Sequence, residues 1–362
     1  MSCDSWEEAV VVSSPISSSS TTPTSSPKPP EPPELVVSDA NVEADSAGLL
    51  LRLRGGLAIL FVVAVWVAAS LAPLLACGLV WCGGPLAYTT LALLISVTVY
   101  PLITVEKDGD TGWPAFRHAI PEWGQYWHRS CGRVYEKEGP ESWDGMPPTL
   151  FCFHPHGVFS QGFILNGSMN RELPMIVGLL AGALYHAPVF RLVFGRWAGP
   201  CAPATKEVFI DQMRKGNSFG IIPGGFQEAA LAKLGTDRVW INTRKGFIKY
   251  GLRYGYRLRP IFTFGESDTF WNTQGFLKLR LWMTARNIPG VFPWGVWWCP
   301  LLPRRAHLMT VFGEPIALPK LEAPSNEDVD KWHAFYVEAL KTLHSRHKAK
   351  YAANPQAELE VW

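Results

Sequence analysis

The sequence predicts an α/β domain that follows a membrane-embedded helical hairpin and a disordered head. Three observations carry this expectation. Between Arg54 and Glu106 no side chain is charged. From about Pro147 onward, short apolar runs alternate with helix-like segments, the texture of an α/β domain. Ahead of both, Ser17 to Thr22 is a run of hydroxyl side chains and Pro27 to Pro33 is nearly all proline.

The head, residues 1–48, cannot bury enough apolar surface to offset its ordering entropy and is expected to be disordered. Asp4, Glu7 and Glu8 stand where a secretory signal would be basic, so it does not read as one. Residues 49–106 form the expected hairpin. A transmembrane helix needs about 20 apolar residues, and the charge-free stretch divides at Cys82, Gly83, Gly84 and Pro85 into Leu57 to Trp81 and Leu86 to Val105. Arg52 and Arg54 mark the side on which the chain starts and returns as cytosolic. The alternative is a pair of buried core helices, although these usually keep a polar face. Residues 107–362 are then a cytosol-facing domain. Its expected strands are Thr149 to Phe153, Ser218 to Ile222, Leu258 to Phe264 and His307 to Phe312. Thr205 is placed to cap a helix with Glu207 in its first turn. Ser325 and Asp328 have capping-box spacing ahead of the stripe Val329, Trp332, Tyr336, Leu340 and Leu343, which reads as a structural helix.

Composition narrows the function. The chain is 48% hydrophobic with a formal net charge of +2, and shows no clustered basic face of the kind a nucleic-acid partner requires. Its seven cysteines contain no CxxC pair, which fits a reducing compartment. Polar chemistry gathers at two strand ends. At the first, His154-Pro155-His156-Gly157 presents two imidazoles. These suit a general base, since an imidazole titrates near 6.5; a metal pair lacks a neighbouring carboxylate or cysteine at ligand spacing, and a satisfied structural histidine is the third option. At the second, Gly224-Gly225 could bring backbone N–H donors close to an oxyanion, and Glu228 follows as a carboxylate able to orient a histidine or an acceptor hydroxyl.

Together these boxes resemble the type-2 diacylglycerol acyltransferases and their monoacylglycerol and wax-ester relatives. The family's HPHG box is His154, Pro155, His156 and Gly157, and its glycine-glycine-x-x-glutamate box is Gly224, Gly225 and Glu228. A longer segment matches at Arg244, Gly246, Phe247, Gly255, Pro260, Phe264, Gly265 and Glu266, with further matches at Pro188, Phe190 and Arg191 and at Gly313, Pro315 and Ile316. The resemblance runs from the hairpin to the terminal helix. It implies a glycerolipid-acyltransferase-like domain with a mixed sheet flanked by helices, acyl transfer from acyl-CoA to diacylglycerol without cofactor or metal, and residence in the endoplasmic reticulum membrane or on lipid droplets. Self-association stays open.

Under that resemblance His156, with His154 beside it, is the expected base. Glu228 would hold the imidazole or the acceptor, and Gly157, Gly224 and Gly225 would form the oxyanion turns. The broader glycerolipid acyltransferases place an aspartate five residues after the histidine. Here those positions are Phe159 and Gln161, so the carboxylate partner must come from elsewhere. The turn after Glu228 continues as Ala229, Ala230 and Leu231, without the arginine that would meet a phosphorylated acceptor, which favours a neutral one. Arg244, Lys245 and Lys249 are the candidates for the phosphates of coenzyme A. Phe270 to Trp298 gathers five tryptophans with Lys278, Arg280 and Arg286, which suits a bilayer interface or, alternatively, buried aromatic packing. A lipid-binding scaffold and a lysophospholipid acyltransferase are the competing classes.

Overall fold

The computed structural model describes residues 33–38, 41–103, 113–169 and 176–362. The rest of the head and the last residues of the charge-free stretch lie outside the described residues. Among these, a mixed ten-stranded sheet runs in the order β1 (Leu35–Val37), β3 (Ser130–Glu136), β12 (His307–Phe312), β9 (Arg257–Phe264), β4 (Thr149–His154), β7 (Phe219–Ile221), β5 (Val177–Leu180) and β6 (Cys201–Pro203). Strand β2 (Val42–Glu43) also pairs with β3, and β13 (Ile316–Ala317) with β9. From β9 through β4, β7, β5 and β6 the strands are parallel, while β12 meets β9 antiparallel. All four expected strands are present within a residue or two of their expected ends.

The head departs from expectation. Leu35, Val36 and Val37 pair with Glu136, Tyr135 and Val134 of β3. A branched apolar run next to the proline tract can join a sheet edge, and composition averaged over residues 1–48 hid it.

Central strand β4 is buried on both faces, as parallel strands usually are, and its side chains alternate between two cores. Leu150 and Cys152 face α6 (Lys206–Arg214), α8 (Gly246–Tyr254) and α10 (Asn326–Tyr351), through Phe209, Phe247, Leu252, Tyr336 and Leu340. Phe151 and Phe153 face Tyr135, Trp143, Phe163 and Phe312. The caps follow the sequence: Thr205 Oγ1 accepts from the Val208 N–H at 3.4 Å, and Ser325 with Asp328 closes a capping box over α10.

A third core joins α1 (Leu49–Cys82) and α3 (Pro114–Gly124) to the turn that follows β4, with Ile59, Val62 and Val63 packed in one cluster with Phe159, Leu165 and Phe190. Helix α2 (Pro85–Ile103) follows α1 after Gly83 and Gly84. Two short helices, α4 (Gly182–Tyr185) and α5 (Pro188–Phe190), lie after β5. Among the described residues only α1 is long and apolar enough to cross a membrane, and 44% of its most apolar window is buried against the protein. The second arm of the expected hairpin carries a shorter apolar run, Pro85–Val97. Helices α7 (Gly225–Leu231) and α9 (Leu277–Thr284) pack on one another. Two small ribbons complete the fold: β8 (Arg238–Val239) with β14 (Glu360–Val361), and β10 (Trp271–Asn272) with β11 (Pro293–Trp294).

Candidate active site

The turns after β4 and β7 open onto a cavity of about 190 Å³. Trp66 of α1, His156, Ser160, Phe226, Arg244, Lys245 and Asn287 are among its lining residues. The carboxyl end of a parallel sheet is where such folds commonly hold ligands.

His156 is the imidazole at this cavity. Its Nδ1 lies 2.9 Å from the Gly157 carbonyl oxygen, which can only accept, so Nδ1 carries the proton. Ser160 Oγ, 3.2 Å from the same nitrogen, donates to the His156 carbonyl at 3.0 Å and closes the turn. Among the described residues Nε2 takes no bond to the protein. Burial outweighs the neighbouring Glu228 charge and holds the imidazole below its ordinary 6.5. A neutral ring with its lone pair on Nε2 is the form a general base requires.

His154 is elsewhere, and this corrects the expectation that both histidines share the chemistry. It has the parity of Leu150 and Cys152, so it points toward α10, where Nε2 lies 3.0 Å from the Tyr336 hydroxyl, and it is fully buried away from the cavity lining. The peptide between His154 and Pro155 is cis. The terminal helix, expected to be only structural, thus supplies a polar partner through Tyr336.

Glu228 does not meet the His156 ring. Its Oε1 accepts the His156 backbone N–H at 2.5 Å, its Oε2 accepts the Trp240 backbone N–H at 2.7 Å, and Oε1 stands 3.8 Å from His154 Nδ1. The carboxylate is a bracket on the peptide that carries the base. The glycine pair serves this bracket. A Cβ on Gly224 would occupy the space of Glu228 Oε2. Gly225 adopts φ of 55°, and its N–H is bonded to the Ile222 carbonyl at 3.1 Å, which removes it from the expected oxyanion donors.

A second carboxylate, given no role from sequence, holds the other end of the turn. Glu266 accepts the N–H groups of Gln161 at 3.0 Å and Gly162 at 2.7 Å, and lies where a Gly157 side chain would be. Gly157, with φ of 58°, is therefore needed for backbone shape and for space, and its carbonyl orients His156. Gln161, five residues after His156, bonds His128 at 3.2 Å through its side chain.

Burial raises the Glu266 carboxyl to about 7, against the downward pull of the Gly162 and Gln161 N–H groups. An unfolded glutamate titrates near 4.3, so the folded state binds the extra proton between those values. Its contribution to stability is full below about pH 4.3 and declines as pH rises through about 7. Thermal unfolding of detergent-purified protein from pH 4 to 8 should show this decline, and Glu266→Gln should flatten it. An unaltered slope in the variant would mean that Glu266 titrates as it does in the unfolded chain.

Of the expected coenzyme A residues, Arg244 and Lys245 line the cavity just ahead of α8, with Lys245 also paired to Asp330 at 2.6 Å. Lys249 lies one turn along α8, exposed and outside the lining. Among the described residues no group of histidine, cysteine and carboxylate side chains is arranged to hold a metal ion.

Comparison with known proteins defines the class first. The region 145–362 matches the sequence model of the family described as diacylglycerol acyltransferase. The chain is 31% identical over 237 residues to human diacylglycerol O-acyltransferase 2-like protein 6, covering 59% of this chain and 69% of that protein. It is 31% identical over 234 residues to human diacylglycerol O-acyltransferase 2, covering 59% and 60%. To human acyl-CoA wax alcohol acyltransferase 2 it is 28% identical over 237 residues, covering 59% and 69%. The protein is an acyltransferase. More particularly, the chain belongs to the diacylglycerol acyltransferase family. The solved structure of the 1-acyl-sn-glycerophosphate acyltransferase PlsC of Thermotoga maritima is similar at TM-score 0.40 and 13% identity, covering 85% of this chain and 99% of that one, a likeness too loose to weigh.

Proposed function

We propose that the protein transfers a fatty acyl group from acyl-CoA to the free hydroxyl of diacylglycerol, forming triacylglycerol. The observation that carries the reading is the neutral His156 ring, held by its Nδ1 proton to Gly157 with Nε2 unbonded at a cavity that has basic side chains at one wall and Trp66 at another. Nε2 takes the hydroxyl proton as the acceptor oxygen attacks the thioester carbonyl. The tetrahedral intermediate collapses, the C–S bond breaks, and the proton passes to the departing thiolate. No acyl-enzyme forms and no cofactor or metal takes part. Arg244 and Lys245, at the amino end of α8 where the helix dipole also favours anions, receive phosphates of coenzyme A. The absence of an arginine from Ala229, Ala230 and Leu231, which end α7 after Glu228, suits a neutral acceptor. On the same reading α1 enters the endoplasmic reticulum membrane, α2 returns toward the cytosolic side, and the enzyme also reaches lipid droplets.

The test is incorporation of labelled oleoyl-CoA into lipid by the purified chain offered diacylglycerol, monoacylglycerol, fatty alcohol and lysophosphatidate in parallel. Label in triacylglycerol is expected, with Arg244→Ala raising the apparent KM for oleoyl-CoA by about tenfold, the worth of one charge-assisted hydrogen bond. Label chiefly in wax ester or phospholipid would replace the acceptor, and an unchanged KM would remove Arg244 from the coenzyme site.

A further inference from the structure

The segment from Phe270 to Trp298, offered by sequence as either interface or core, is largely surface. Phe276 is 84% exposed, Trp297 85% and Trp298 60%, and Leu279, Trp282, Phe292, Trp271 and Trp294 are exposed as well. Trp271 and Trp294 stand opposite each other across the β10–β11 ribbon. With Phe276, Leu279 and Phe292 they line an apolar groove of about 590 Å³, separate from the catalytic cavity. An exposed aromatic face of this kind marks a docking surface rather than ordinary exposure.

Charge identifies the partner. From Thr269 to Gly313 the sequence has no aspartate or glutamate, while Lys278, Arg286 and Arg304 are basic and exposed; Arg305 is ion-paired to Asp45 at 2.6 Å. Arg286 stacks on the Trp282 ring with its guanidinium 3.9 Å from the centroid. Tryptophan at the headgroup level with arginine and lysine beside it is the composition that lipid interfaces favour, and basic side chains there are drawn to anionic headgroups.

The face is also built into the site. Arg280, buried on the inner side of α9, donates to the Gly290 carbonyl at 2.8 Å and to the Ala230 carbonyl of α7. The Asn272 amide nitrogen lies 3.2 to 3.4 Å from the carbonyls of Ala229, Ala230 and Ala232. Helix α7 is the one that carries Glu228. The residues that end and follow α9, Thr284, Ala285 and Asn287, line the catalytic cavity.

We propose that α9, the β10–β11 ribbon and the loop to Trp298 form a membrane-contact surface distinct from α1. It seats on an anionic bilayer face and sets the α9 wall of the cavity against the lipid that holds the acceptor. The acceptor half of this statement rests on the lipid substrate proposed above; the seating on the bilayer does not.

The test places the photoreactive residue p-benzoylphenylalanine at Phe276 or at Trp297 in the full chain, reconstituted into phosphatidylcholine vesicles containing phosphatidylserine. Irradiation is expected to add phospholipid mass at both positions and none at Phe335, an exposed aromatic of α10. Removing phosphatidylserine should lower the yield at both positions, and changing Lys278→Gln and Arg286→Gln should lower it by about fivefold for each positive charge removed. Adducts to a second copy, or no adduct at either position, would overturn the proposal. Triacylglycerol synthesis undiminished under conditions that abolish the lipid adducts would overturn the acceptor reading alone.

Discussion

Purified His156→Ala protein is expected to transfer acyl groups about 10²- to 10⁴-fold more slowly than the wild type, the usual worth of a general base. Its thermal unfolding should stay close to wild type, because among the described residues the ring bonds only to neighbouring groups of its own turn, the Gly157 carbonyl and Ser160 Oγ. The pH profile gives an independent reading. Burial lowers the imidazole pKa, so the acid limb of kcat/KM should fall below the ordinary 6.5 of a free histidine. The sign follows from the mechanism: protonation removes the base, so the rate is held above that pKa and lost beneath it. Turnover near wild type in the variant would eliminate His156 as the base, and an acid limb well above 6.5 would assign it to another group.

Glu228→Ala should be nearly as damaging, for a different reason. The substitution leaves the N–H groups of His156 and Trp240 without their acceptor, at about 1–3 kcal/mol each when they stay buried. It also frees the peptide that carries the base, and a misplacement of about 1 Å can cost about 10²-fold. The expected signature is kcat reduced by about that factor, with the KM for acyl-CoA little changed because Arg244 and Lys245 lie on a separate wall. Gly224→Ala should produce the same signature without altering any charge, since its methyl group takes the space of the carboxylate. Combining the two changes should cost little more than either alone. A lower melting temperature with kcat intact in Glu228→Ala would make the bracket purely architectural.

The strands and the two long caps are legible in sequence because each rests on a local signal: an apolar run ending at glycine or proline, or a hydroxyl three residues ahead of its partner. Of the residues singled out from sequence, His156, Gly225, Arg244 and Lys245 line one cavity, while His154, Gly224, Glu228 and Lys249 do not. The roles within them are harder to read. Strand parity separates His154 from His156, since His154 continues the alternation of Leu150 and Cys152 while Pro155 breaks it before His156. Tyr336 is in plain view as one apolar position of a helical stripe, but its partnership with His154 spans 182 residues and has no local mark. Glu228 is expected beside a ring and stands instead on a backbone. Its bond to His156 requires the side chain to fold back over Gly224, which a spacing of four residues permits and does not announce. Glu266 closes a similar bond across 104 residues, to Gly162.

Trp66 belongs to α1, the helix long and apolar enough to cross a membrane, yet it is one wall of the cavity that holds His156. Its ring lies 5.3 Å from that of Phe190 and 6.0 Å from that of Phe159, three residues beyond the histidine. The protein is therefore not divisible into an anchor and a water-soluble enzyme. Trimming the chain back past α1 to obtain a more tractable protein would unroof the reaction chamber, and a lack of turnover in such a fragment would say nothing about the chemistry of the intact chain.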